Sequence, residues 1–214
     1  NNWPENIANS TWQFQADGVL SNLIEKQSAL GIKVSSPQDC GIESGEYCAI
    51  WLGAEMPGDQ QIDDAKSVYF TSPVLSEKLD IVGAPNIQLS ISSDKPSAQI
   101  AVRLNHIHPD GASTRITYGV FNLAHRNGFD MATPLSPGEV FDVDFSLDQI
   151  AYRVPAGHKI RVSISSSYWP LIWPSPEATC LTIQAGLIDV PLRPSGISDE
   201  CHFPQPETCL LYTS

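Results

Sequence analysis

His106 and His108 stand two residues apart in the run Asn105-His106-Ile107-His108-Pro109-Asp110-Gly111. On a strand that spacing puts both imidazoles on one face. Two such nitrogens with Asp110 beside them could begin a divalent-metal site, but zinc takes three or four protein ligands and the spacing identifies no third. The expectation is therefore no metal, with the pair packed near a strand end or turned toward a partner domain. His158, in Pro155-Ala156-Gly157-His158-Lys159, is expected to make a structural hydrogen bond at the turn opening the next strand rather than to serve as a general base. His125, before Arg126 and Asn127, has the same structural expectation.

Nucleophiles are no easier to place. Ser163, Ser165, Ser166 and Ser167 cluster on and just past a strand, where they are expected to point outward. The chain has no G-x-S-x-G pentad for a nucleophile elbow and neither of the glycine-rich phosphate loops, so no catalytic residue and no cofactor is expected. Asp59, Gln60, Asp63 and Asp64 fall in Pro57-Gly58-Asp59-Gln60-Gln61-Ile62-Asp63-Asp64. This run lacks the ligand spacing and central glycine of a calcium-binding EF-hand loop, and is expected to form a structural loop, solvated or paired with arginine.

The aromatic stretch Tyr168-Trp169-Pro170-Leu171-Ile172-Trp173-Pro174 presents two indoles between prolines, a stiff apolar body with polar edges. Three readings are open: a cap on the core, a contact with another domain, and a platform on which a sugar stacks. The third needs exposed, coplanar indoles.

The elements that position these residues follow from a period of two. Apolar side chains alternate in Ile87, Leu89, Ile91; in Ile100, Val102, Leu104; in Ile116, Tyr118, Val120; and in Phe141, Val143, Phe145, Leu147. Two later sets are Ile160, Val162, Ile164 and Leu181, Ile183, Ala185, Leu187. Each reads as a half-buried strand with Ser, Thr, Asp, Arg or Gln on its other face. Turn formers separate them, as in Pro109-Asp110-Gly111 and Ser136-Pro137-Gly138, and no interval has the helical periodicity that parallel crossovers need. The expected fold is all-β, an antiparallel sandwich of the jelly-roll kind, with its core in residues 67–190. Residues 1–66 are expected to wrap this core with one or two small strands. Residues 191–214, rich in proline, are expected to run irregularly, with Leu210-Leu211-Tyr212 as a possible docking strand.

Composition narrows the partners. With 24 acidic residues against 12 Lys and Arg, the net charge of −12 opposes phosphate backbones and anionic lipid, so neither nucleic acid nor membrane is expected. The acidity is concentrated: residues 1–66 hold ten acids and three bases, whereas 67–190 hold eleven and eight. Five cysteines are too few for a disulfide scaffold, and reduced thiols in the cytoplasm are the default expectation. Cys40 with Cys48, and Cys201 with Cys209, are close enough in sequence to close small loops in an oxidising compartment.

Several of these motifs recur together in a known family. Trp3-Pro4, Pro57-Gly58-Asp59-Gln60 with Asp63-Asp64, Ser72-Pro73-Val74-Leu75, and Leu79-Asp80-Ile81-Val82-Gly83-Ala84-Pro85 come first. Pro109-Asp110-Gly111, Leu135-Ser136-Pro137-Gly138-Glu139, Pro155 to Arg161, and Ser165 to Pro170 follow in order. The set resembles the C-terminal domain of X-prolyl dipeptidyl-peptidases and cocaine-esterase-like (CocE/NonD) serine hydrolases. The resemblance implies a galactose-binding-like jelly roll that supports an α/β-hydrolase catalytic domain of the same polypeptide and shapes its substrate cleft, in a parent that can be homodimeric. It places the Ser-Asp-His triad outside these residues. The interdomain contact is expected from Trp169, Trp173, Tyr168, His106 and His108. The family commonly has aspartate where this chain has His106.

Overall fold

The computed structural model describes residues 7–23, 29–47 and 56–194. In chain order come β1 (Ala8–Phe14), β2 (Leu20–Ser21), β3 (Ile32–Val34), a short helix α1 (Gln61–Ala65), β4 (Val68–Thr71), β5 (Leu79–Gly83) and β6 (Asn86–Ser93). There follow β7 (Gln99–Ile107), β8 (Ser113–Asn122), β9 (Val140–Ser146), β10 (Ile150–Val154), β11 (Lys159–Ser165) and β12 (Leu181–Leu192). They form two sheets, one of eight strands and one of four in the order β4-β11-β7-β8. All paired strands are antiparallel.

The alternation dictates this stacking. Ile87, Leu89 and Ile91 of β6, Ile100, Val102 and Leu104 of β7, and Ile160, Val162 and Ile164 of β11 all join one buried core between the sheets. Phe14 of the larger sheet stacks on Phe70 of the smaller, with ring centroids 4.4 Å apart. The long strand β12 runs through the larger sheet, with β6 along one edge and β3 then β1 along the other.

In two strands the expected face is wrong beyond a certain point, and in both the cause is a bulge. Between Ile183 and Ala185 the β12 register shifts against β6, so Gly186, Ile188 and Val190 turn inward while Ala185 is exposed. Gly186 admits Phe14 to the core: a Cβ there would lie 2.4 Å from the phenyl ring. In β8 the register skips Ile116, because Leu104 faces Thr117 while Asn105 faces Arg115. Ile116 is buried, but Tyr118 and Val120 point away from the core, Val120 being 40% exposed. A bulge inserts one residue, and with a period of two one residue reverses every later side chain.

The N-terminal part is more than a wrapping segment with one or two small strands. It contributes three strands and α1. β1 pairs with β12 from Ala8 opposite Leu192 to Gln13 opposite Leu187, and buries Trp12 and Phe14. At the other end β12 continues through Leu192, past the expected boundary at 190. Trp3, Pro4, Cys48, Cys201, Cys209 and the run 210–212 lie outside the described residues.

Candidate functional site

The smaller sheet has a second buried surface. Residues 36–44 and α1 lie over its outer side, so β7 is buried along nearly its whole length, including Arg103 and Asn105. The serines expected to face outward do leave the core face, but they enter this layer: Ser163, Ser165, Ser166 and Ser167 are all buried. Buried polar groups are mostly hydrogen-bonded, and α1 supplies many of the acceptors here. Ser166 and Ser167 bond to Ser36 and Gln38, while Ser165 Oγ has no partner among the described residues. Asp64 accepts from Asn105 Nδ2 at 2.9 Å, Ser163 Oγ at 2.7 Å, Ser113 Oγ at 2.8 Å and an Arg161 guanidinium nitrogen at 3.1 Å. Asp63 accepts from the backbone N–H groups of Gly41 and Glu43 at 2.8 and 3.0 Å. Arg103 donates to the Asp63 carbonyl at 3.1 Å and to Ser67 Oγ at 2.6 Å. Gln60 donates to the carbonyls of Glu43 and Gly58, and Asp59 accepts from the Ser113 N–H. These acids are thus bonded inside the domain, and the two buried ones, Asp63 and Asp64, are not solvated.

That layer also holds the aromatic loop. Tyr168 is fully buried, which removes it from the expected contact surface: its hydroxyl accepts from Arg115 at 2.7 Å and its ring lies 5.3 Å from the Arg103 guanidinium. Burial pushes its pKa above the usual tyrosine value, against the opposing pull of Arg115 and Arg103. One residue on, the Trp169 N–H donates to the Cys40 carbonyl at 2.8 Å. Gly41 permits the approach, with φ +111 and no room for a Cβ, which would stand 2.5 Å from the Trp169 oxygen. Beyond it Gln99 Nε2 donates to the Trp173 carbonyl at 2.7 Å. The backbone is anchored at both indoles, yet the indoles are outside: Trp169 is 40% and Trp173 80% exposed. Their rings meet edge to face at 76°, with centroids 5.5 Å apart, beside a hollow of about 550 Å³ that also touches Gln38, Asp39, Pro174 and Pro176. Neither the core-cap reading nor the coplanar platform needed for a stacked sugar fits this geometry.

The histidines gather at the opposite end of β11. His106 continues the inward row of Ile100, Val102 and Leu104, and His158 sits on the turn just before Ile160, which pairs with His106. His158 closes its turn through its backbone N–H, which donates to the Pro155 carbonyl at 3.4 Å, while its side chain reaches across strands, with Nδ1 2.6 Å from His106 Nε2. His106 Nδ1 lies 3.0 Å from the Tyr152 hydroxyl of β10, and His108 Nε2 lies 3.0 Å from Thr114 Oγ1. The rings of His106 and His108 stack at 4.0 Å. Burial, reinforced by His108 and His158, pushes His106 down to about 4, which keeps it neutral. His158 is thus the third convergent nitrogen that spacing failed to identify, because it lies some fifty residues away in sequence and arrives through strand register.

Acyl transfer needs a hydroxyl or thiol against an oriented base. Among the described residues no serine or cysteine side chain is hydrogen-bonded to a histidine; the hydroxyls that are belong to Thr114 and Tyr152. Cys40 instead lies 3.6 Å from Ser67 Oγ, its thiol free.

The described residues form a two-sheet antiparallel β-sandwich that carries an anchored loop of exposed indoles. The chain belongs to the family described as the X-Pro dipeptidyl-peptidase C-terminal non-catalytic domain, which matches residues 1–200. It is 24% identical over 155 residues to a cocaine esterase of Rhodococcus sp. (strain MB1 Bresler), covering 72% of this chain and 27% of the esterase. It is 29% identical over 126 residues to a putative serine esterase of Mycobacterium bovis, covering 51% of this chain and 20% of that protein. Its fold matches that of an aminopeptidase from a marine-sediment Thaumarchaeota archaeon with a TM-score of 0.76 at 19% identity, over 89% of this chain and 37% of the other. The chain therefore spans about a quarter of the length of the curated relatives it matches.

Proposed function

We propose that this domain docks through the Trp169–Trp173 loop onto an α/β-hydrolase domain of the same polypeptide and forms one wall of its substrate cleft. The parent reaction in this reading is hydrolysis of an ester or an amide through an acyl-enzyme on a serine of that other domain. The observation that carries the reading is the pair of indoles held outside by a backbone bonded to Cys40 and Gln99. Exposed tryptophans on a fixed backbone cost little entropy to bury, and covering both is worth on the order of 5 kcal/mol before the costs of association. The short coverage of the hydrolase relatives, each much longer than this chain, supports a partner domain. The finer assignment, a galactose-binding-like jelly roll, is supported by the antiparallel pairing and by the way the chain passes between the sheets in strand pairs from β5 to β10 and then singly through β11 and β12.

The test is to co-express the hydrolase domain and this chain as separate polypeptides and measure their affinity. Trp169→Ala with Trp173→Ala is expected to weaken binding by about 30-fold or more, the ~2 kcal/mol typical of central tryptophans at interfaces. Unchanged affinity would remove the tryptophan loop from the contact.

A further inference from the structure

We infer that His106, His108 and His158 form a binding site for a borderline divalent transition-metal ion, of the zinc class, at the end of the sandwich remote from the tryptophans. One ring nitrogen from each lies within 4.8 Å of the others, so small side-chain movements would bring all three onto a single ion. His106 lies on β7 opposite Ile160, while His108 directly follows β7 and His158 directly precedes β11, whose ends pair at Ile107 and Lys159, so the strand register brings the three rings together.

The hydrogen bonds orient the ring nitrogens toward one another, and an ion would replace the proton shared by His106 Nε2 and His158 Nδ1. A metal-binding imidazole coordinates through one nitrogen and donates its other N–H to a fixed acceptor. His106 can donate from Nδ1 to the Tyr152 hydroxyl, which leaves Nε2, the atom that faces His158. A His108 that donates from Nε2 to Thr114 Oγ1 keeps the lone pair of Nδ1. His106 is buried, whereas His108 and His158 are partly open, which gives an ion a way in and leaves room for a water or other small ligand.

The donor set selects the ion. Three imidazoles with no carboxylate suit zinc, cobalt, nickel or copper, and suit magnesium or calcium poorly. Three protein ligands with an open fourth position is the common zinc arrangement. Nitrogens bound to one zinc at about 2.0–2.1 Å stand roughly 3.3 Å apart in a tetrahedron. The His106–His158 separation of 2.6 Å must therefore widen on loading. An ion here would clip β7 to the turn before β11 and, through Tyr152, to β10 of the other sheet.

The experiment is a titration of the chelator-stripped 214-residue chain with zinc chloride, read by calorimetry and by the melting temperature, and repeated with cobalt(II) read by its visible absorption. One high-affinity equivalent is expected, with a rise in melting temperature. Because His106 is buried and its removal risks the fold, the deciding variants are the more exposed His108→Ala and His158→Ala. Each is expected to weaken zinc binding by at least about tenfold and to alter the cobalt spectrum, while His125→Ala changes neither. Absence of binding in the parent sequence, or full binding in both deciding variants, would overturn the site.

Discussion

The outer sides of the two sheets are built on the same alternation and end in opposite environments. On the larger sheet Gln88 and Ser90 are half-buried, and Asp142, Asp144 and Ala185 are exposed. On the smaller sheet Arg103, Asn105 and Ser163 occupy equivalent outward positions and are completely buried beneath α1 and residues 36–44. Alternation states which way a side chain points; only the rest of the chain decides whether it meets water there. A polar outward row can therefore be a solvated surface or the floor of a second, polar core, and in the second case its hydrogen bonds become obligatory.

The comparison is broken most directly at Asp64. Asp64→Ala removes the acceptor shared by Asn105, Ser163, Ser113 and Arg161, and leaves Arg103 in a buried site with one carboxylate fewer. Breaking a buried pair from one side costs about 3–5 kcal/mol, so chemical denaturation should show a loss of that order. A loss under about 1 kcal/mol would mean that water reaches this layer.

A smaller effect is expected at Asp80, on β5 of the larger sheet. Hydrogen bonds from Arg153, and then from Lys78, hold its pKa at about 2 against an ordinary 3.8. The folded state binds this proton more weakly than the unfolded chain, so the contribution is intact above about pH 4 and lost as the pH falls toward 2. Arg153 is 63% exposed. Solvent screening therefore limits the loss to about 1 kcal/mol or less. Denaturation of Asp80→Asn across this pH range should show a flatter acid limb than the parent.

The smallest effect belongs to Asp144, which accepts from Asn86 at 2.7 Å on the exposed side of the larger sheet. Asp144→Ala should change stability by no more than about 0.5 kcal/mol. A cost close to that of Asp64→Ala would erase the distinction between the two outer sides.

Much of the fold was legible in the sequence. The six apolar sets lie in six strands, because a period of two has no other stable reading at that length. What escaped was non-local. The bulges at Ile116 and Gln184 reverse the faces of β8 and β12 without any local cue, and Gly186 has meaning only once Phe14 is seen against it. The candidate sites divide the same way. The exposed indoles of Trp169 and Trp173 could be suspected from one short run, although Tyr168 beside them belongs to the buried layer. The histidine trio needed the register of β7 against β11, and the role of Asp63 and Asp64 needed a helix folded over a sheet whose strands come later in the chain.

Through Cys40, Gly41 and Tyr168 the covering layer fixes the loop that, in the function proposed above, offers Trp169 and Trp173 to a neighbouring domain. The direct measurement is hydroxyl-radical footprinting of Trp173, read by mass spectrometry, in the 214-residue chain and in the longer polypeptide that carries the hydrolase domain. The expected result is rapid oxidation of Trp173 in the chain alone and strong protection in the longer polypeptide. Equal oxidation in both would contradict the account.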